Sequence, residues 1–146
     1  MKPSKEMAEV EQIKRLKAQY FRCMDTKDWA GFGAVFAPDA TMDTTQEQPG
    51  LEVVVGNDAI VAFVEGAVGP VVTVHHGHMP EIELTSPTTA TGIWSMEDML
   101  KFPEGSPVRT LHGFGHYHET YEKIDDEWRI KTLLLTRLRR DVKMAD

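Results

Sequence analysis

The chain has 146 residues, enough for one domain with a substantial core. Hydrophobic residues make up 41% and charged residues 27%, the ordinary range of a soluble globular protein. A net charge of −7 argues against a general nucleic-acid binder, and the cluster Arg137, Arg139, Arg140 is too short to make a basic face. The single cysteine, Cys23, excludes an intrachain disulfide and points to a reducing compartment. The polar N-terminal residues do not resemble a signal peptide, and the longest apolar runs are too short to span a bilayer. The expected setting is cytoplasmic, with no membrane and no nucleic-acid partner.

In chain order, residues 1–6 read as a loose tail. From Met7 the apolar positions Met7, Val10, Ile13, Leu16, Tyr20, Phe21 and Met24 recur in steps of three and four and predict one face of a helix ending near Thr26. A second helix is expected with Trp29, Phe32, Val35 and Phe36 on one stripe, Asp28 in its first turn and Pro38 as its end. Residues 41–56 read as a short strand and a loop around Pro49 and Gly50. Asn57 or Asp58 is the expected cap of a third helix that carries Ile60, Phe63 and Val64 and closes at Gly66, Gly69 and Pro70.

Beyond Pro70 the pattern turns to strands, over 71–84, 88–102, 108–124 and 128–139. Turns fall at Ser86 and Pro87, at 103–107 and at Asp125, Asp126 and Glu127. Residues 141–146 are expected as a C-terminal tail. Helices followed by long antiparallel strands predict a single α+β domain over 1–146, its helices packed on one face of a strongly curved, mostly antiparallel sheet. Such a cone leaves an open end as a pocket for a small hydrophobic molecule.

Several residues break these patterns. Strand alternation puts Asp98 on a face with Gly92, Trp94, Met96 and Leu100, where a carboxylate needs a partner unless it has reached water. Arg137 is the first charge after Leu133 and Leu135 on its face, and either enters a pocket or begins the solvated end. Asp25 stands at the end of the first helix, against the negative end of its dipole, and either serves a site or caps the next helix, as Thr26 equally can. Tyr20 lies on the apolar helix face, where its hydroxyl needs a partner if buried.

All six histidines fall in two strands: His75, His76 and His78, then His112, His116 and His118. His76 and His78 share a face, as do the other three, and a His-x-His pair can chelate a first-row metal. His75 points the opposite way. An imidazole on a pocket wall can take a proton near neutral pH, with a carboxylate fixing its tautomer, and Asp25 and Asp98 are both candidates for that partner.

Three stretches carry a family resemblance. Tyr20-Phe21-Arg22-Cys23-Met24-Asp25, the run from Val74 through His75 to Ile82, and the run from Ala90 through Trp94 to Asp98 resemble the SnoaL-like domain of the nuclear transport factor 2-like superfamily. The segment from Tyr121 to Asp125 with Trp128 resembles the family's penultimate hairpin. The likeness runs in order over about residues 8–140 and is strongest to bile acid 7α-dehydratases, more distant to scytalone dehydratase and hexachlorocyclohexane dehydrochlorinase.

The resemblance implies a catalytic set of Tyr20, Asp25, His75, Asp98 and Arg137, with no cofactor and no metal. It implies elimination of water from an apolar alicyclic or polycyclic carbonyl compound, such as a steroid, terpenoid or polyketide. An isomerase or cyclase using the same Asp–His dyad, and a non-catalytic small-molecule-binding domain, are the alternatives. It also implies a homo-oligomer, a trimer before a dimer. Residues 43–56 match the family poorly, and His112, His116 and His118 take no role from it.

Overall fold

The computed structural model describes residues 4–146. Three helices, α1 (Lys5–Asp25), α2 (Trp29–Ala34) and α3 (Asn57–Val68), accompany six strands: β1 (Phe36–Asp43), β2 (Val54–Val55), β3 (Val72–Ser86), β4 (Thr89–Lys101), β5 (Val108–Ile124) and β6 (Glu127–Met144). The strands form one sheet in the order β2-β1-β6-β5-β4-β3, antiparallel throughout except for the parallel pair β1–β6. The α+β expectation, with helices on one face of a curled antiparallel sheet, is what the chain forms.

Strand alternation makes the two faces of the sheet. Along β4, Ala90, Gly92, Trp94, Met96 and Asp98 are buried while Thr91, Ile93, Ser95 and Met99 are exposed. Along β5, Gly113, Gly115, Tyr117, Glu119 and Tyr121 are buried and the intervening histidines sit on the outer side. α1 covers the inner face against β3 and β6, and α3 lies against β1. The core between them is built from Ile13, Leu16, Tyr20, Phe32, Phe36, Ile60, Trp94, Ile130 and Leu133, all at or below 5% exposure.

Several boundaries differ from the sequence reading. Residues 1–3 of the expected tail lie outside the described residues, but Ser4 caps α1 through its hydroxyl, which accepts from Met7 N–H, so the helix opens at Lys5. The second helix stops at Ala34, and Phe36, expected on its stripe, starts β1, with Pro38 inside that strand. Its cap is Asp28, whose carboxylate accepts from Gly31 N–H, rather than Asp25 or Thr26. Gly56 occupies the N-cap of α3 at φ 96°, where a side chain would be strained, and Asn57 and Asp58 fall inside the helix. Gly66 lies within α3, which ends at Gly69. The expected C-terminal tail is mostly strand, because β6 continues to Met144 paired with Val108 of β5.

Candidate active site

A cavity of about 440 Å³ opens between the curled sheet and the helices. Its apolar walls include Met24, Met42, Leu51, Phe63, Val64, Leu100 and Leu135, and its polar wall is formed by Tyr20, His75, Asp98 and Arg137. A second hollow of about 470 Å³, beside Arg15, Arg22, Asp28 and Trp128, contains none of the five residues singled out in the sequence.

His75 is the centre of the polar wall. Cross-strand pairing places it directly opposite Asp98, and both side chains point inward. Its Nδ1 lies 2.7 Å from Asp25 Oδ1. The carboxylate can only accept, so Nδ1 carries a proton, and in the neutral form of the ring Nε2 is left with a free lone pair. Nε2 is 4.0 Å from Asp98 Oδ2, too far for a direct bond and close enough for both to meet one substrate.

Asp25 offsets its unfavourable place at the end of α1 by accepting three hydrogen bonds. It accepts from the His75 ring, from His75 N–H at 2.9 Å and from Thr73 Oγ1 at 2.9 Å, while Lys27 Nζ donates to that same Thr73 hydroxyl at 3.1 Å. Burial pushes the Asp25 carboxyl up, but the bonds from His75 and Thr73 outweigh it and hold the group below its ordinary value. Asp25 is therefore a carboxylate at neutral pH.

Asp98 is 4% exposed and is gripped by Arg137 in a two-pronged pair, Nη1–Oδ1 2.8 Å and Nη2–Oδ2 3.0 Å. Arg137 also donates through Nε to Glu47 at 2.7 Å. Burial lowers the guanidinium pKa, and the two carboxylates more than restore it, so the group stays charged. The pair has room because position 113, directly across from Asp98, is glycine: a Cβ there would overlap both the Asp98 carboxylate and the Arg137 guanidinium.

Tyr20 lines the cavity beside Tyr117, their rings edge-on with centroids 5.8 Å apart. Burial, then the charges of Glu119, Asp98 and Asp25, raise the Tyr20 pKa far above its usual value. Its hydroxyl is a standing proton donor for hydrogen bonds.

All five sequence-predicted residues are thus brought together, Asp25 behind His75 and the other four on the cavity wall. Sequence reasoning missed Thr73, Glu47, Tyr117 and Gly113. Alternation carried a signal for Thr73, two residues before His75 and on its face. Glu47 lies in the poorly matching loop, where no periodicity gives direction.

A family model described as the SnoaL-like domain matches residues 5–133. The chain belongs to the SnoaL-like family. A relative from Gibberella zeae, the probable cyclase FGR4, is 30% identical over 135 residues, covering 86% of this chain and 89% of its own. Among solved structures, a scytalone dehydratase-like protein from Novosphingobium aromaticivorans superposes with a TM-score of 0.83 at 22% identity, over 97% of this chain and 91% of that one. The hexachlorocyclohexane dehydrochlorinase LinA-type3 of Novosphingobium barchaimii does so at 0.78 and 17%, over 94% and 92%. These two structures show a shared fold. No helix among the described residues is long and apolar enough to cross a membrane.

Proposed function

We propose that this SnoaL-like protein is a cofactor-independent lyase that removes water from an apolar alicyclic or polycyclic carbonyl compound, of steroid, terpenoid or polyketide type. The observation that carries the reading is the His75 imidazole, tied at Nδ1 to Asp25 and presenting Nε2 to an apolar cavity beside Asp98. His75 Nε2 takes a proton from the carbon activated by the carbonyl. The C–H electron pair becomes the new double bond, and the hydroxyl on the neighbouring carbon leaves with the proton returned from His75, so water balances the step. Asp25 stabilises the transient imidazolium. Tyr20, always protonated, donates to the carbonyl oxygen as charge gathers there. Asp98 accepts from the substrate hydroxyl, and Arg137 holds Asp98 in place. The substrate's own carbonyl is the electron sink, so the chemistry asks for no metal or organic cofactor.

The test is a mass-spectrometric screen of hydroxylated steroid, terpenoid and polyketide ketones with wild type and His75→Ala. A product lighter by one water, formed by wild type alone, supports the lyase. The probable cyclase among the relatives favours one second reading, ring closure or isomerisation by the same dyad, which the screen reports as a new product of unchanged mass. Binding without any product in both proteins removes both readings.

The outer sheet face exposes Val74, Ile93 and Met99, which supports burial of that face in a homo-oligomer, with the trimer that the family resemblance implies. Sedimentation analysis distinguishes trimer, dimer and monomer. The buried free thiol of Cys23 suits a reducing, cytoplasmic setting.

A further inference from the structure

The outer face of the sheet carries a second concentration of imidazole and carboxylate, separated from the cavity by the thickness of the sheet. His76 and His78 project outward from β3, Glu97 from β4 and His112 from β5. Glu97 is the hub. Its Oε1 lies 3.9 Å from His76 Nδ1 and 3.6 Å from His78 Nε2, and one ligand atom from each of the three residues lies within 4.8 Å of the others. Its Oε2 accepts from His112 Nε2 at 2.6 Å.

We infer that His76, His78 and Glu97 form a binding site for a first-row divalent transition metal of the zinc type, with His112 as the positioning residue that orients the Glu97 carboxylate. Zinc holds nitrogen and oxygen donors at about 2.0–2.2 Å in a tetrahedron, which sets neighbouring donors about 3.3 Å apart. The 3.6 and 3.9 Å separations from Glu97 lie within a few tenths of an ångström of that spacing, and with all three donor atoms within 4.8 Å of one another, side-chain rotation of the half-exposed imidazoles can close the set. Two imidazoles and one carboxylate are the donor types this class of ion prefers over calcium or magnesium.

Local backbone geometry supports the arrangement. A bulge follows His78, where pairing skips from His78–Ser95 to Glu81–Ile93 and Met79 takes φ 40°. Bulges re-aim the neighbouring side chain and end regular pairing. His112 is steadied on its other side by the Phe114 ring, centroids 4.6 Å apart. Carboxylates that ligate a metal are themselves held by further hydrogen bonds, and His112 supplies one to Glu97. In the single chain the imidazoles are about half exposed, at 49% and 53%, so the remaining coordination positions are open to water or, in the homo-oligomer proposed above, to a donor from a second copy. Because β3 is the edge strand, the ion would pin that edge to the sheet interior.

The test is calorimetric titration of untagged, metal-stripped protein with zinc chloride and nickel chloride, paired with thermal unfolding. One ion per chain with a raised Tm is expected. Saturable binding should vanish in His78→Ala and in Glu97→Gln, weaken about 10–100-fold in His112→Ala, and persist in His118→Ala, a histidine on the same face outside the cluster. Binding of metal that survives both His78→Ala and Glu97→Gln, or that is lost in His118→Ala, overturns the assignment, as does the absence of saturable binding to wild type. Folding of each variant is checked by its circular dichroism and its metal-free Tm, and Glu97→Asp offers a ligand-preserving control if Glu97→Gln unfolds.

Discussion

Two charged clusters occupy the inner face of the same sheet, and they differ in one physical respect. In the first, Lys17 Nζ bonds Glu119 Oε2 at 2.6 Å, Tyr121 donates to Glu119 Oε1 at 2.7 Å, and Trp94 donates to the Tyr121 hydroxyl at 2.9 Å. Lys17 and Glu119 have fully buried side chains, and the ammonium rests 3.6 Å from the ring centroids of both Tyr20 and Tyr117. Burial pushes the Lys17 pKa down to about 8 against the opposing pull of Glu119. In the second cluster, His75 keeps one ring nitrogen without a protein hydrogen bond, facing a cavity. The sealed network satisfies every group it contains and is therefore architecture. The open one holds a proton acceptor in reserve, and that reserve is what chemistry needs.

The contrast is sharpest under mutation. His75→Ala should cut turnover by about 10²–10⁴-fold, while denaturant unfolding shows a smaller loss of stability than Lys17→Met, since Asp25 keeps its bonds from the backbone N–H of position 75 and from Thr73. Lys17→Met should do the reverse. It leaves Glu119 as a buried unpaired charge and should cost about 3–5 kcal/mol of stability, read by urea unfolding. A stable Lys17→Met protein would mean that the sealed cluster is not what holds the inner face together.

Gly113→Ala comes next in size. The new methyl would collide with the Asp98 carboxylate and the Arg137 guanidinium. Overpacking of this kind costs about 1–3 kcal/mol, and here it should also lower turnover by displacing Asp98. Gly113→Ala with unaltered kinetics would remove Asp98 from the chemistry.

The smallest effect is a pH dependence. The Asp25 carboxyl is held below its ordinary value of 3.8 in the folded protein. Its contribution to stability is therefore full above that ordinary value and is lost as pH falls through the lower, folded value. Comparing wild type with Asp25→Asn, the stability gap should be present at neutral pH and shrink on acidification below about pH 4. A gap that stays constant across that range would show that the hydrogen bonds of Asp25 do not depend on its charge.

Legibility in the sequence followed periodicity. The span 108–124 is predicted to the residue, because a loop with two prolines at 103–107 and a turn at Asp125, Asp126 and Glu127 bound it on both sides. Asp98 and Arg137 stood out as charges among apolar neighbours, and each proved to be the other's partner. The sequence predicts too long a second helix, because Phe36 fits a helical stripe as well as a strand, and in the structure Phe36 pairs with Ile130. Glu47 was invisible, since its role depends on how a loop without periodicity folds back onto Arg137. The same is true of Gly113, whose missing side chain matters only because two other strands deliver charges to it.

Spacing along the chain was enough for the general run of helices before long strands, the inward and outward faces within β3, β4 and β5, the family, and a short roster of polar residues at odds with their apolar neighbours. Those are properties of spacing along the chain, and spacing survives without three dimensions. Packing in three dimensions was needed to settle which carboxylate accepts the hydrogen bond from His75 Nδ1, since Asp25 and Asp98 are both candidates by pattern. Only the curl of the sheet over α1 brings Asp25 to 2.7 Å from one ring nitrogen while holding Asp98 4.0 Å from the other. Hydrogen bonds are made or lost within a few tenths of an ångström, and that resolution comes only from packing.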